Sequence, residues 1–414
     1  MRVALVHDFL IEYGGAERVL EALHEIWPKA PIYTAFYNPQ TLGPHAKKFK
    51  NWKIITSWGT RLPFWQKLVS PYRVFSKSFF ESFDLSGFDL VISSNAMYMA
   101  KAVTLRRAQG KKLPIHICYC HTPPRHLYGY HTASDWKKNF FSRISGHVIN
   151  HFMRVWDFEA AQRVDYFIAN SREVQSRIKK FYRRDSTVIY PPVDVNRFSL
   201  FAIGYSKGKR QKAKGDYFLV VSRLVAAKKV DVAVEVCSKL GLPLKVVGTG
   251  KEMKRLSQLA IRHSRKSNGQ SRIANSGTVE FLGEVEDSEL VELYQNCRAV
   301  IFPAEQEDFG LVPVEAMAAG KPVIANAQGG VVESVIDWPA GHGKSTGVYF
   351  DPPTAGSLTL AINNFVSLEK RGYFDPKFIR NHALKFSKER FKRGILKFVR
   401  SKVKKLHIST NTSA

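Results

Sequence analysis

Hydrophobic residues along this chain fall into short runs that end in small or polar residues, with helical stretches between several of them. Residues 2–7 (RVALVH) read as a buried strand, and Ala16 to Ile26 as a helix after the loop from Asp8 to Gly15. Similar apolar runs recur at Phe88–Ser93, Ile115–Tyr119, Tyr166–Ala169 and Thr187–Tyr190. Short strands alternating with helices predict βαβ units and a mainly parallel sheet.

Pro191-Pro192 closes this half, and the basic, apolar-poor stretch Tyr205–Asp216 reads as a linker or exposed loop. The alternation then restarts, with strands expected at Tyr217–Ser222, Leu244–Val247, Val279–Leu282, Ala299–Phe302 and Pro322–Ala325. His263–Ser276 reads as a surface insertion. From Pro376 to Lys405 the pattern is helical, with Ile379, Ala383, Phe386, Ile395, Phe398 and Val399 placed to pack on the body; His407–Ala414 reads as a frayed end. The expected organisation is two α/β lobes, residues 1–200 and 201–375, followed by a basic helical tail, 376–414.

Composition narrows the classes. The chain has 414 residues, 44% of them hydrophobic and 24% charged, which suits globular domains. Four cysteines exclude a disulfide scaffold, and Cys118 with Cys120 lacks the second pair that a zinc site needs. No apolar run reaches the ~20 residues that span a bilayer. Acidic residues interrupt the first stretch before a signal-peptide core can form, so a cytoplasmic setting is expected.

Charge is the anomaly: 63 Lys and Arg against 35 Asp and Glu give +28. This excess fits a phosphorylated ligand, an anionic membrane face or nucleic acid, or simply a basic proteome. Against nucleic acid, the basic residues are spread along the chain and no recognised nucleic-acid motif is present. A dinucleotide oxidoreductase loses its main support, because no G-x-G-x-x-G follows the first strand.

The most informative stretch is FPAEQEDFGLVPVEAMAAGKPVIANAQGG, residues 302–330. A strand ends near Phe302, a turn follows, and Val312 to Ala319 reads as a helix with Pro313 in its first turn. Glu307 and Glu315 flank seven residues, so Glu315 lies about two turns in on a similar azimuth. The backbone N–H groups of Phe309, Gly310 and Leu311 at a helix N-terminus suit an anion. A second such turn is expected at Gly329-Gly330, before a helix over Val331–Ile336. Taken singly, Glu307 could merely favour the helix dipole, and Glu315 could be a solvated helix residue.

E-x7-E followed by A-M-A-A-G-K-P-V-I-A resembles the donor-site signature of retaining glycosyltransferases of the GT-B fold, family 4. The resemblance covers nearly the whole chain. It includes the turn Gly14-Gly15-Ala16-Glu17, the stretch Ser222-Arg223-Leu224 and the element Phe281-Leu282-Gly283. It implies an α/β protein of two Rossmann-like lobes, whose parallel sheets face a central cleft that holds a nucleotide-sugar. By that resemblance Glu307 binds donor-sugar hydroxyls, Glu315 binds the ribose, and Arg223 with Lys228 neutralises the diphosphate. Lys229 could substitute for Lys228, and it stands where the family usually has Gly. Gly14 and Gly15 would present backbone N–H groups to the cleft, and Gly248 would line the nucleotide pocket. No metal or other cofactor is implied beyond the donor, and no Asp-x-Asp motif is present.

Cys118 to Arg125 (CYCHTPPR) reads as a strand ending in a Pro-rich loop. A strand-end histidine such as His121 can be a structural hydrogen-bonder or a catalyst. In the resembled family the histidine at this point faces the donor sugar. The longer phrase C-H-T-P-P-R-H-L-Y is similar to bacterial O-antigen and exopolysaccharide mannosyltransferases, whose donor is GDP-mannose. Ser94, Asn95 and Lys101 follow another strand end and could meet an acceptor.

Residues 61–80 carry Trp65, Leu68, Val69, Tyr72, Phe75 and Phe79 on one helical face and Lys67, Arg73 and Lys77 on the other, with Pro71 dividing the segment. Such a face can lie on an anionic inner-membrane surface or pack on its own lobe. The resulting expectation is a retaining hexosyltransferase, with a nucleotide-sugar donor and a lipid-linked or glycan acceptor. A UDP-sugar enzyme of the same fold is the alternative. An epimerase, a phosphorylase, a donor-binding protein without turnover and a nucleic-acid binder are less well served by these residues.

Overall fold

In the computed structural model, residues 1–106, 113–130, 140–198, 215–267, 278–338 and 343–409 are described. The expected linker at 205–214, the later part of the expected insertion (268–276) and residues 410–414 lie outside them. The chain divides into two compact units, Met1–Pro192 with Glu389–Ala414, and Val193–Lys388. The division therefore falls at 192/193 rather than 200. The tail, expected to pack on the body, is divided between the two units.

The first unit contains a seven-stranded parallel sheet: β1 (Val3–His7), β2 (Ile32–Thr34), β3 (Ile54–Thr56), β4 (Leu90–Asn95), β5 (Ile115–Cys120), β6 (Tyr166–Ala169) and β7 (Ser186–Val188). Their spatial order is β3-β2-β1-β4-β5-β6-β7. The central strands β1, β4, β5 and β6 are almost wholly buried, as a sheet with helices on both faces requires. On one face Leu5, Ile117 and Tyr119 pack with Val19, Leu20 and Leu23 of helix α1 (Gly15–Ile26). Val6 and Val91 face the opposite core, with Phe36, Phe79 and Phe80.

Residues 65–81 form two short helices, α2 (Trp65–Tyr72) and α3 (Ser76–Glu81), separated by a 3-10 turn. The apolar side of this segment is spent on the unit itself. Trp65 stacks on Phe36 at 5.3 Å, and Val69 and Tyr72 pack against the same core. Phe64 and Phe75 remain exposed. A long helix α4 (Phe140–Gln162) and α5 (Arg172–Tyr182) complete the run up to β7.

The second unit has a six-stranded parallel sheet: β8 (Phe218–Val221), β9 (Leu244–Val247), β10 (Val279–Gly283), β11 (Ala299–Phe302), β12 (Val323–Asn326) and β13 (Gly347–Phe350). The order β10-β9-β8-β11-β12-β13 repeats the arrangement of the first six strands of the other sheet. Helices α6 (Val230–Leu240), α7 (Met253–Ser267), α8 (Asp287–Asn296), α9 (Leu311–Ala318), α10 (Ala355–Lys370) and α11 (Pro376–Ala383) surround it. Helix α7 runs through Ser267, so the start of the expected insertion is helical.

The tail breaks near Ser387, and α12 (Lys388–Ser409) follows. Its Phe391, Ile395, Phe398 and Val399 enter the core of the first unit, where Phe391 meets the edge of the Tyr119 ring at 5.7 Å. No described helix is long and apolar enough to cross a membrane.

His116, wholly buried in β5, has its pKa pushed down to about 3, first by desolvation and then by the charges of Arg163 and Lys101. Below its ordinary value of 6.5 the unfolded chain takes up a proton that the folded chain refuses. Stability from this group is therefore complete above pH 6.5 and is lost as pH falls toward 3, with a slope of up to about 1.4 kcal/mol per pH unit. Melting curves across that window should show wild type losing stability more steeply than His116→Gln. Parallel profiles would remove His116 from the account.

Candidate functional site

In both sheets the strand order reverses beside the first strand, between β1 and β4 and between β8 and β11. Connections at such a point leave toward opposite faces and open a crevice at the carboxyl ends of the strands. His7, Ser94, His121, Arg223 and Glu307 lie at or shortly after such ends.

In the second unit, Arg223 follows β8 and is held by its neighbours. The N–H of Ser222 donates to the Val247 carbonyl at 3.0 Å, and that of Leu224 to the Thr249 carbonyl at 2.8 Å. Leu224 is buried while the Arg223 side chain is exposed. Gly248 has φ +122°, and a Cβ there would run into the Ser222 carbonyl. The loops after β8 and β9 thus touch backbone to backbone, which only glycine permits at that point.

Lys228 forms an ion pair with Glu307, the first carboxylate of the E-x7-E phrase. Lys229 lies 3.4 Å from Glu305 instead, so the two lysines have different carboxylate partners. Lys229 has φ +48°, the left-handed conformation that glycine adopts most easily. Here a lysine occupies it, at the start of α6.

The loop carrying Glu307 is pinned from behind. Gly330 N–H donates to the Glu307 carbonyl at 2.8 Å, and Gly329 has φ +80°. A Cβ on Gly329 would collide with the Glu307 backbone, and one on Gly330 with the Asp308 carbonyl. Helix α9 then starts at Leu311, after Gly310 in the left-handed region. Phe309 is buried with its ring against Phe386 at 5.5 Å, so its side chain anchors the turn. Glu315 is 2% exposed, not a solvated helix residue, and Oε2 accepts the Tyr294 hydroxyl at 2.8 Å. The expected helix at Val331–Ile336 is only a 3-10 turn, Gly330–Glu333. Ile336 and Thr346 exchange hydrogen bonds, which draws the chain alongside β13 before a helix can extend.

In the first unit the strand ends hold a chain of polar contacts. His121 Nε2 lies 2.8 Å from Ser94 Oγ, which lies 3.0 Å from His7 Nδ1. His7 Nε2 is 3.2 Å from Glu17 Oε1, and Gly14 N–H donates to Glu17 Oε2 at 2.8 Å. All four side chains are buried. Burial alone would raise the Glu17 carboxyl, but the hydrogen bond and charge of His7 lead the contacts that hold it below its ordinary value. The Gly14 N–H is thus used within the turn, contrary to the expectation that it faces a ligand. Gly15 is the first residue of α1.

Asp8 organises the neighbouring loop by accepting N–H bonds from Ala96, Met97, Tyr98 and Ala100 at 2.6–3.0 Å. Asn95 accepts the His121 N–H through its carbonyl at 2.8 Å. Lys101 is wholly buried in an ion pair with Asp157, which also accepts the Tyr128 hydroxyl at 2.9 Å. Lys101 therefore holds the fold and does not present its ammonium to an acceptor. His7, Asp8 and Tyr294 escaped sequence reasoning because isolated polar residues carry no periodic signal.

Among the described residues no three His, Cys, Asp or Glu side chains gather as a metal site would require. The sites offer instead paired carboxylates, a lysine, an arginine and a strand-end histidine. That chemistry suits a ligand with hydroxyls and anionic oxygens.

Two sequence models of known families match the chain in succession. Residues 13–197 match Glycosyltransferase Family 4, and residues 205–377 match Glycosyl transferases group 1. The chain belongs to the group 1 glycosyltransferases. Its two parallel α/β lobes are those of the GT-B fold. An uncharacterised glycosyltransferase of Methanocaldococcus jannaschii is 27% identical over 43% of this chain, and the match spans 44%, under half, of that relative's own length. The alpha-1,3/1,6-mannosyltransferase ALG2 of Mus musculus is 25% identical over 82% of this chain and 81% of its own. Among solved structures, Anabaena HepE in complex with UDP superposes with a TM-score of 0.67 at 18% identity, covering 97% of this glycosyltransferase and 100% of HepE.

Two glycine-region substitutions test how the second lobe's site is built. Gly329→Ala should cost about 2 kcal/mol or more, because the left-handed strain and the clash with Glu307 add. Lys229→Gly should leave stability unchanged or raise it by up to about 1 kcal/mol, as left-handed strain is relieved. Thermal melting of both variants checks this; a Gly329→Ala protein as stable as wild type would disprove the close packing.

Proposed function

We propose that this glycosyltransferase moves a hexose, mannose from GDP-mannose, with retention onto a lipid-linked glycan or polysaccharide precursor. The observation that carries the reading is the Lys228–Glu307 pair beside the β11 end, with Glu315 buried one helix turn and more beyond. It supports the reading because a carboxylate suited to hydroxyls and a cation suited to phosphate are in direct contact. A donor needs that adjacency, because its sugar is bonded directly to its diphosphate.

In this reading Glu307 takes sugar hydroxyls, Glu315 takes the ribose, and Arg223 and Lys228 meet the diphosphate. His121 acts at the transferred sugar. The bond between the anomeric carbon and the phosphate oxygen breaks while the acceptor hydroxyl forms its own bond to that carbon on the same face. The departing phosphate takes the acceptor's proton. Charge growing on the diphosphate is stabilised by cations already in place. The donor is the co-substrate, and no metal is assigned a role.

Mannose is supported by the phrase around His121 and by the mannosyltransferase among the relatives. A uridine donor is the second reading, favoured by the UDP bound to HepE. A lipid-linked acceptor at the cytoplasmic face of an anionic membrane accords with the charge of +28. It also accords with the exposed apolar residues Phe64, Phe75, Val148, Phe152 and Val155 of the first lobe.

A ligand that binds only the folded protein stabilises it, by about 2.7 kcal/mol at a hundredfold excess over Kd. GDP-mannose should raise the melting temperature of wild type, and Glu307→Ala should abolish the response. A response to UDP-glucose alone would replace mannose from GDP-mannose with a uridine donor. No response to either at millimolar concentration would overturn the donor site. Flotation with anionic vesicles tests the surface separately: wild type should float, and Phe64→Ser with Phe152→Ser should float less.

A further inference from the structure

Lys229 has φ +48° and Gln306 has φ +50°, a left-handed conformation that strains residues other than glycine. The two lie in facing loops, after β8 and after β11, where the order of the second sheet reverses. Lys229 turns the chain from the 3-10 turn Ala226–Lys228 into α6, and Gln306 separates Glu305 from Glu307. Glu305 N–H donates to the Ala227 carbonyl at 3.2 Å, so the loops touch through their backbones. On either side of Gln306 the carboxylates take different lysines. Lys228 pairs with Glu307, and Lys229 Nζ lies 3.4 Å from Glu305 Oε1. Between 18% and 34% of each of these four side chains is exposed, so water screens neither pair fully.

Lys228 and Glu307 have tasks in the donor reading. One meets the diphosphate and the other the sugar, and each must give up its partner to do so. That reading gives Lys229 and Glu305 no such task, and they meet each other. We propose that Lys229 and Glu305 are positioning residues, an ionic tether that keeps the two loops in register while Lys228 and Glu307 turn to the donor. The proposal rests on the donor reading given above, and it adds why two adjacent lysines are not interchangeable. Lys228 is a phosphate ligand, whereas Lys229 holds the loop that carries Glu307. A lysine in a conformation suited to glycine then has a reason: the strain is kept because the side chain is needed. Without the tether the donor would have to order both loops as it binds, which would lower its affinity.

Titration calorimetry of the full-length protein with GDP and with UDP, at one fixed salt concentration, tests this. Whichever diphosphate binds wild type should bind Lys229→Gly about tenfold more weakly, although that variant melts no lower than wild type. Glu305→Gln should also weaken binding, by about threefold or more, although it removes a negative charge from beside an anion. Glu305→Asp, which keeps the charge and shortens the reach, should weaken it likewise. Lys229→Gly combined with Glu305→Gln should bind no more weakly than Lys229→Gly alone, because a single tether can be lost only once.

Tighter binding by Glu305→Gln would make Lys229 a phosphate ligand in its own right and overturn the tether. Unchanged affinity in Lys229→Gly and in both Glu305 variants would overturn it too, leaving a pair that serves stability alone. If Glu305→Gln does not fold, Lys229→Gly and Glu305→Asp decide between the same outcomes. Binding of neither GDP nor UDP to wild type at millimolar concentration would overturn the donor reading, and the tether with it. The two failures are distinct, since one shows in a protein that binds nucleotide and the other in a protein that does not.

Discussion

All strands of a parallel sheet end at the same edge, and the strand order of both sheets here turns around beside the first strand. That single topological fact forces adjacent connections apart and leaves space where no helix can fill it. Everything polar that matters in this protein collects near those ends. The first lobe places His7, Ser94 and His121 at the ends of β1, β4 and β5, while the second places Arg223 and Glu307 after β8 and β11. The two lobes are chemically different yet built on one geometric opportunity.

The opportunity carries a constraint, because strand ends inside an α/β lobe are largely screened from water. A polar side chain there costs stability unless it is paired. Each lobe meets this in its own way. In the first, backbone N–H groups do most of the holding: Asp8 accepts four of them, and Glu17 takes the Gly14 N–H while its other oxygen meets His7. In the second, Glu307 meets an ammonium, and Glu315 meets a phenol. Backbone N–H partners fix a carboxylate's orientation without adding a net charge. A lysine partner is suited to exchange one carboxylate for another anion.

Legibility followed the length of the local signal. Strands such as Tyr166–Ala169, Leu244–Val247 and Ala299–Phe302 are continuous apolar runs, and the sequence placed them residue for residue. β2, β3 and β13 went unseen, whereas β7, as short as β2 and β3, was found because its apolar run continues to Tyr190. The E-x7-E phrase placed Glu307 before α9 and Glu315 within it, though one turn in rather than two, since both lie within one continuous segment. It could not show that Glu315 is buried against Tyr294, which is 21 residues away and on another helix. The contact between His7 and Ser94 spans 87 residues and leaves no trace in local spacing. Likewise the helix expected after Gly330 was lost to Thr346, a competing partner supplied by the fold.

The tail shows why domain boundaries resist a linear reading. Its apolar positions were recognised as core-facing, and they are, but they serve two cores. Ile379 and Phe386 are buried within the second lobe, while Phe391, Ile395, Phe398 and Val399 close the core of the first. Periodicity says that a helix must bury a face; it does not say against what. The same reasoning explains residues 65–80, whose amphipathic pattern fitted a membrane surface and a protein core equally. Trp65 against Phe36 consumes much of that face, while Phe75 on the same face keeps an exposed edge beside the Phe79 ring at 6.3 Å, and Phe64 stays exposed before it. An apolar residue left exposed beside a satisfied core is the more informative signal, because packing within the lobe no longer accounts for it.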